Sequence, residues 1–282
     1  MKKLKSFHPL TIFIYYVFLL GILMFEMNPF FVCIAFLGAI SMGLKIDINL
    51  KKRDFVFYIV FFIVASCINP IFYHNGSTVL FYISGKRITL EALIYGIITS
   101  SMLLTVLITC REMSLILSSD KVLYLLGKVS LKASLIVSMT LRFIPLFRRQ
   151  AGKIRESQKM LGLYRDNTFF DKVKAEITVF SATTSWALEH SVETSDSIRG
   201  RGYGITRRTH YSIFKIKITD VVLMAVMIIL MSYILYAVST GSLRIIYYPN
   251  VVLPKTGLVN IIAYVSYALM VFIFPMMVNA DE

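Results

Sequence analysis

The residue types that hold metals or act as nucleophiles are few and scattered. His8, His74, His190 and His210 have no ligand spacing, and Cys33, Cys67 and Cys110 lie singly in apolar runs without a CxxC pair. Packing is the expected role of the cysteines, and no metal site is expected on this chain. Glu26 sits in a turn and Glu91 opens an apolar run, so neither is placed for an ion relay at mid-membrane depth. Ser66, Thr99, Ser100, Ser101 and Thr105 read as interhelical contacts, and the 14 methionines as adaptable packing. The glycine-rich lysine loop that cradles nucleotide phosphates does not occur. What stands out instead is positive charge. Thirty Lys and Arg face 16 Asp and Glu, a net charge of +14, on a chain that is 57% hydrophobic.

Such a composition, with mean hydropathy +0.71, excludes an ordinary soluble domain. Apolar runs near the length a helix needs to cross a bilayer, about 20 residues, occur six times. They cover Pro9 to Phe25, Phe30 to Leu44, Phe55 to Phe72, Leu90 to Cys110, Val221 to Val238 and Leu258 to Val278. Lys2, Lys3 and Lys5 precede the first run without a cleavage site after it, so it reads as a retained span. Leu131 to Phe147 is apolar too, but Lys132, Arg142 and Pro145 place it at the membrane surface. With both termini inside, 26 of the 30 basic residues lie on the cytoplasmic side, and only Lys86, Arg87, Arg244 and Lys255 outside. The expected fold is all-α and polytopic, with membrane parts at 1–110 and 218–282 around a cytoplasmic region at 111–217.

That region concentrates the charge, with 15 basic and 7 acidic residues from Arg142 to Lys217. One helix is expected after Pro145, with Phe147, Ala151, Ile154 and Leu161 on one face, stopping at Gly162. After Arg165-Asp166-Asn167, Thr168 is the expected N-cap of a second helix, with Asp171 three residues on. This helix should run to Arg199, before Gly200 and Gly202. Its stripe is Phe170, Val173, Ile177, Phe180, Thr184, Ala187, Ser191 and Ser195, bulky at first and then small enough for close approach of another helix. A basic amphipathic pair of this kind fits anionic lipid headgroups or a protein partner. It does not fit nucleic acid, for which stacking aromatics would interleave with the charges.

Ser195-Asp196-Ser197-Ile198-Arg199-Gly200-Arg201-Gly202-Tyr203-Gly204 resembles the second Ala-Arg-Gly-type motif of the transmembrane coupling subunit (T component) of energy-coupling factor transporters, the family that includes the cobalt-transport permeases. Leu141-Arg142-Phe143-Ile144-Pro145-Leu146 is similar to the family's segment before the first coupling helix, and His8-Pro9-Leu10 stands at its Asp-Pro-Arg-type start. Two departures are visible. Gly200 replaces the motif alanine, and the first motif, after Gln158, reads Met160-Leu161-Gly162 without its arginine.

The resemblance implies a non-catalytic subunit of an importer for vitamins or transition-metal ions. Two ABC-type ATPase subunits, which carry the ATP and Mg, would dock on the ends of the coupling helices, at Arg199, Gly200, Arg201 and Gly202 and at Met160, Leu161 and Gly162. A separate membrane S component would bind the substrate. Arg201 is the leading docking residue, because a guanidinium can pair bidentately with a carboxylate. Arg199 is next, or else pairs with Asp196 or Ser195 on its own helix. Leu161 would meet an apolar surface, with Arg155, Lys159 or Arg165 supplying charge. The rival functions are a self-sufficient secondary transporter, which calls for charged or broken helices at mid-membrane, and a lipid-modifying enzyme, which calls for a clustered catalytic set.

Overall fold

The computed structural model describes residues 7–46, 52–73, 76–83, 86–164, 168–203, 205, 214–249, 251–252, 254 and 257–279. In chain order its elements are α1 (Pro9–Phe25), α2 (Pro29–Lys45), α3 (Lys52–Phe72), β1 (Val79–Ile83), β2 (Lys86–Thr89), α4 (Leu90–Ile116), α5 (Ser119–Val129), α6 (Leu131–Met160), α7 (Phe169–Gly200), α8 (Ile218–Ser239) and α9 (Leu258–Asn279). The chain divides into two compact units, Met1–Lys121 with Phe214–Glu282, and Val122–Ile213. Lys2, Lys3, Lys5, Lys51, His74, the turn 165–167, Gly204, His210 and Lys255 lie outside the described residues.

In the first unit, four helices are long and apolar enough to cross a membrane, among the described residues: Arg53–Phe72, Leu90–Ile116, Ile218–Ser239 and Leu258–Met276. The apolar helices α1 and α2 are shorter, at 17 residues each. Both start alike. A proline at the first helical position needs no N–H there, and the residue before it caps the turn. His8 Nδ1 accepts from the Leu10 N–H at 3.2 Å, and Asn28 Oδ1 from the Phe30 N–H at 3.0 Å. The backbone N–H of buried His8 also donates to Asp220 Oδ1 in the first turn of α8, at 3.2 Å.

Proline also falls inside α3 and α9, where it takes a donor from the helical ladder. Pro275 deprives the Val271 carbonyl of its helical N–H, and the Tyr15 hydroxyl donates to that oxygen at 2.9 Å, tying α1 to α9. Pro70 likewise exposes the Ser66 carbonyl of α3, and Gly96 of α4 packs onto it. A Cβ at position 96 would stand 2.6 Å from the Ser66 oxygen. Around these contacts Ile12, Tyr16, Leu23, Phe31, Met227 and Tyr267 join one buried apolar cluster.

Several elements differ from expectation. Strands β1 and β2 pair antiparallel, with Tyr82 opposite Arg87, in a chain expected to be all helical. Helix α4 does not stop at Cys110 but continues to Ile116, because Arg111 is satisfied from α3: it donates to Asp54 at 2.9 Å and to the Tyr58 hydroxyl at 3.1 Å. One residue on, Glu112 is buried, a carboxyl that the sequence reading passed over. In the second unit, α6 begins at Leu131 and passes through Pro145, so 131–147 is its first half and the helix does not start after the proline. Leu141, four residues before Pro145, is exposed, which lowers the cost of its lost ladder bond. Thr168 stands at the N-cap of α7 with extended backbone but makes no side-chain capping bond.

Candidate functional site

Within the second unit, α6 and α7 end in the same way. Met160, Leu161 and Gly162 (φ +68°) close α6, and Gly200, Arg201 and Gly202 (φ +80°) close α7. The N–H of Gly162 donates to Lys159 O at 3.1 Å and that of Leu163 to Gln158 O at 3.0 Å. The N–H of Gly202 donates to Arg199 O at 2.9 Å and that of Tyr203 to Ile198 O at 3.3 Å. Both are Schellman closures, in which the left-handed residue after the cap favours glycine.

Leu161 and Arg201 therefore hold the same station, the cap residue of a closed helix end. Both side chains are exposed, Leu161 at 71%, with Met160 at 87% beside it. Arg199, Gly200 and Arg201 are exposed as well. Neither guanidinium enters an ion pair among the described residues, so Arg199 is not held by Asp196. Of the charges expected to assist Leu161, Arg165 lies outside the described residues and the other two are engaged elsewhere. Lys159 lies over the Tyr164 ring, 5.0 Å from its centroid, and Arg155 turns inward to α7.

Two devices hold the hairpin of α6 and α7. Near its closed end, Arg155 grips Glu176 bidentately at 3.0 and 2.7 Å, while the Tyr164 hydroxyl donates to the same carboxylate at 2.7 Å. Hydrogen bonds from Arg155 and then from Tyr164 hold the Glu176 carboxyl below its ordinary range. Further along, Phe143 and Phe147 of α6 mesh with Trp186 and His190 of α7. Trp186 stacks on His190 at 5.0 Å, and Phe147 meets Trp186 edge-on at 5.9 Å. Phe143 with Phe147 and Trp186 with His190 are each i, i+4 pairs, a spacing that marks one helix face.

Beyond this aromatic seam a cavity of about 330 Å³ opens between the two helices, lined by Arg142 and Phe143 from α6 and by His190, Glu193 and Arg201 from α7, among others. The two sequence runs that stood out, around Arg142 and around Arg201, thus meet at one cavity. Two guanidiniums on its rim suit a carboxylate or another anion. The α7 stripe faces elsewhere. Phe170, Ile177 and Phe180 are exposed, and it is Ala175 and Val179 that are buried. The period of the stripe was legible, but α6 packs on a different face.

An apolar helical unit with membrane-length helices, joined in sequence to a basic helical hairpin, defines a polytopic membrane protein. The described residues contain no group of three or more His, Cys, Asp or Glu that could hold a metal ion. No family model matches the chain. It is similar to the energy-coupling factor transporter transmembrane protein EcfT 1 of Listeria monocytogenes serotype 1/2a (strain 08-5578), with 22% identity over 200 residues, covering 67% of this chain and 74% of that protein. The similarity supports membership of the EcfT family, whose proteins are transporter components.

Proposed function

We propose that the chain is the transmembrane component of an energy-coupling factor importer, passing ATP-driven motion from two ABC-type ATPase subunits to a substrate-binding S component. ATP and Mg belong to the ATPase subunits, and the S component sets the cargo, a vitamin or a transition-metal ion. Helices α1 and α2, at the lower edge of the roughly 17–25 residues that span a bilayer, join α3, α4, α8 and α9 as six spans with both termini cytoplasmic. The basic hairpin then lies in the cytoplasm, as the distribution of Lys and Arg requires.

The observation that carries this reading is the matched closure of α6 and α7, which presents Leu161 and Arg201 at equivalent exposed stations. Each end is rigid and offers one side chain for a groove in an ATPase subunit. Arg201 pairs there with a carboxylate, and Leu161 buries apolar surface. The exposed Phe170, Ile177 and Phe180 on α7 supply a second, apolar contact face, fitted to a membrane partner.

The test is co-expression with candidate ATPase subunits, followed by pull-down and by uptake in vesicles. Removing one member of a buried charge pair costs about 3–5 kcal/mol, so Arg201→Glu should abolish capture of the ATPase while membrane insertion is kept. Arg201→Lys should be partly defective, because lysine lacks the planar fork. If the hairpin only rests on anionic lipid, one charge is worth about 1 kcal/mol. Arg201→Ala and Arg148→Ala would then show the same mild loss, and the docking role would fail.

A further inference from the structure

A cavity of about 640 Å³ opens in the first unit, and its walls follow from helical spacing. Helix α2 contributes Phe36, Ile40 and Leu44, α3 contributes Phe55, Ile59 and Phe62, and α4 forms the floor with Ser101, Leu104, Ile108 and Arg111. Each set recurs at three or four residues, one helix face turned to a common groove. The lining is apolar apart from Ser101, whose hydroxyl donates to Ile97 O at 2.8 Å, and from Arg111 and Tyr58 near the other end. Several of its side chains, Ile40, Leu44, Phe55 and Ile59, are exposed although apolar.

We infer that this groove binds an anionic phospholipid, with one acyl chain along the apolar trough and the phosphate at Arg111. Three observations select that occupant. The first is length: from Ser101 to Arg111 the floor runs about 15 Å at 1.5 Å per residue, half of a hydrocarbon core about 30 Å thick. The groove therefore spans one leaflet and ends at headgroup depth. The second is volume. A transmembrane helix about 10–12 Å across would displace well over 1,000 Å³ along that length, whereas 640 Å³ falls in the range of roughly 300–1,000 Å³ typical of small-ligand sites.

The third observation is charge. Arg111 spends one N–H on Asp54 and one on Tyr58, which leaves three of its five donors. Its side chain keeps 33% exposure, so these donors can reach a ligand. Arg53, one residue before Asp54, is exposed and adds a second positive charge at that end. A phosphate accepts from a guanidinium fork with good geometry, whereas a zwitterionic headgroup brings its own cation. The inference rests on the membrane assignment and, for which leaflet is meant, on the cytoplasmic placement of the Arg111 end. It needs neither the ATPase subunits nor Arg201.

Native mass spectrometry of the purified full chain, titrated with phosphatidylglycerol or with phosphatidylcholine of the same acyl chains, tests it. One tightly retained phosphatidylglycerol is expected, held about tenfold better than phosphatidylcholine. Arg111→Gln should erase that preference while leaving weak binding of both lipids. Ile40→Trp, at an exposed wall position, should fill the trough and remove both. Equal retention of the two lipids, unmoved by Arg111→Gln, would overturn the proposal, as would a specific lipid that survives Ile40→Trp. Displacement of the lipid by a co-purifying membrane protein that Ile40→Trp releases would assign the groove to a protein partner instead, and would also overturn it. None of these results bears on ATPase capture by Arg201, so the two readings fail separately.

Discussion

Tyr15→Phe removes a single oxygen and keeps the ring, so its effect isolates one hydrogen bond. In the structure that oxygen donates to Val271 O at 2.9 Å, within a site where Tyr15 is 2% exposed. The Val271 carbonyl needs this donor because Pro275, four residues on, has no N–H to give. A buried carbonyl left without a partner costs about 1–3 kcal/mol, and interhelical bonds measured within membranes lie near 0.6 and reach about 1.7 kcal/mol. The two ranges overlap at about 1–1.7 kcal/mol, the expected loss for Tyr15→Phe.

Pro275→Ala makes the test sharp. Alanine restores an N–H four residues from Val271, so the carbonyl regains a helical donor and no longer depends on Tyr15. In that background Tyr15→Phe should cost less than about 0.5 kcal/mol, giving a coupling energy on the order of 1 kcal/mol. The Lys45 ammonium, which donates to the carbonyl of Pro275, keeps its acceptor in the alanine variant. The assay is reversible unfolding of the four proteins in mixed micelles, followed by helical circular dichroism. Independent sites add to within about 0.3–0.5 kcal/mol. Additivity inside that margin would refute the claim that the hydroxyl stands in for the missing N–H.

Two further outcomes follow from the hairpin. Leu161→Ala should weaken ATPase capture by about 1–3 kcal/mol if Leu161 becomes fully buried on docking, and Leu161→Asp should abolish it; undiminished capture by Leu161→Asp would remove the α6 end from the interface. The clamp on Glu176 should be acid-sensitive. Its carboxyl titrates below the ordinary value in the folded hairpin, so its contribution is complete above the unfolded pKa of about 4.3 and disappears as pH falls through the lowered folded value. Limited proteolysis of the hairpin should accelerate in that acid window for the wild type, and Glu176→Gln should be cleaved readily at every pH; a wild type as resistant at low pH as at neutral pH would show that the clamp is not what closes the hairpin.

What could be read from sequence, and what could not, divides along the range of the interactions. The starts of α1 and α2 are written locally, in a polar cap followed by proline, and the end of α7 in Gly202. The end of α4 was misplaced because Arg111 looked like a boundary, and its partners Asp54 and Tyr58 lie 57 and 53 residues away on α3. Pro145 looked like a helix start for a related reason: a proline's local cost is visible in a sequence, while the thirty-residue helix that absorbs it is not.

The α7 stripe is the most instructive miss. Its 3–4 period was legible in Phe170, Val173, Ile177 and Phe180, and the small residues towards its C-terminal end, Ala187, Ser191 and Ser195, marked where another helix was expected to approach. Instead the hairpin closes on Ala175, Val179, Trp186 and His190, where small residues let the helices approach and the aromatic pairs fill the wider gap beyond. The bulkier face is left over. On a helix that carries three basic and five acidic residues, Phe170 at 79% exposure and Phe180 at 74% are a large apolar surplus for a surface that only borders water. The hairpin satisfies its polar closures internally and leaves an apolar face of α7 open, which under the proposed function is the face offered to a membrane partner.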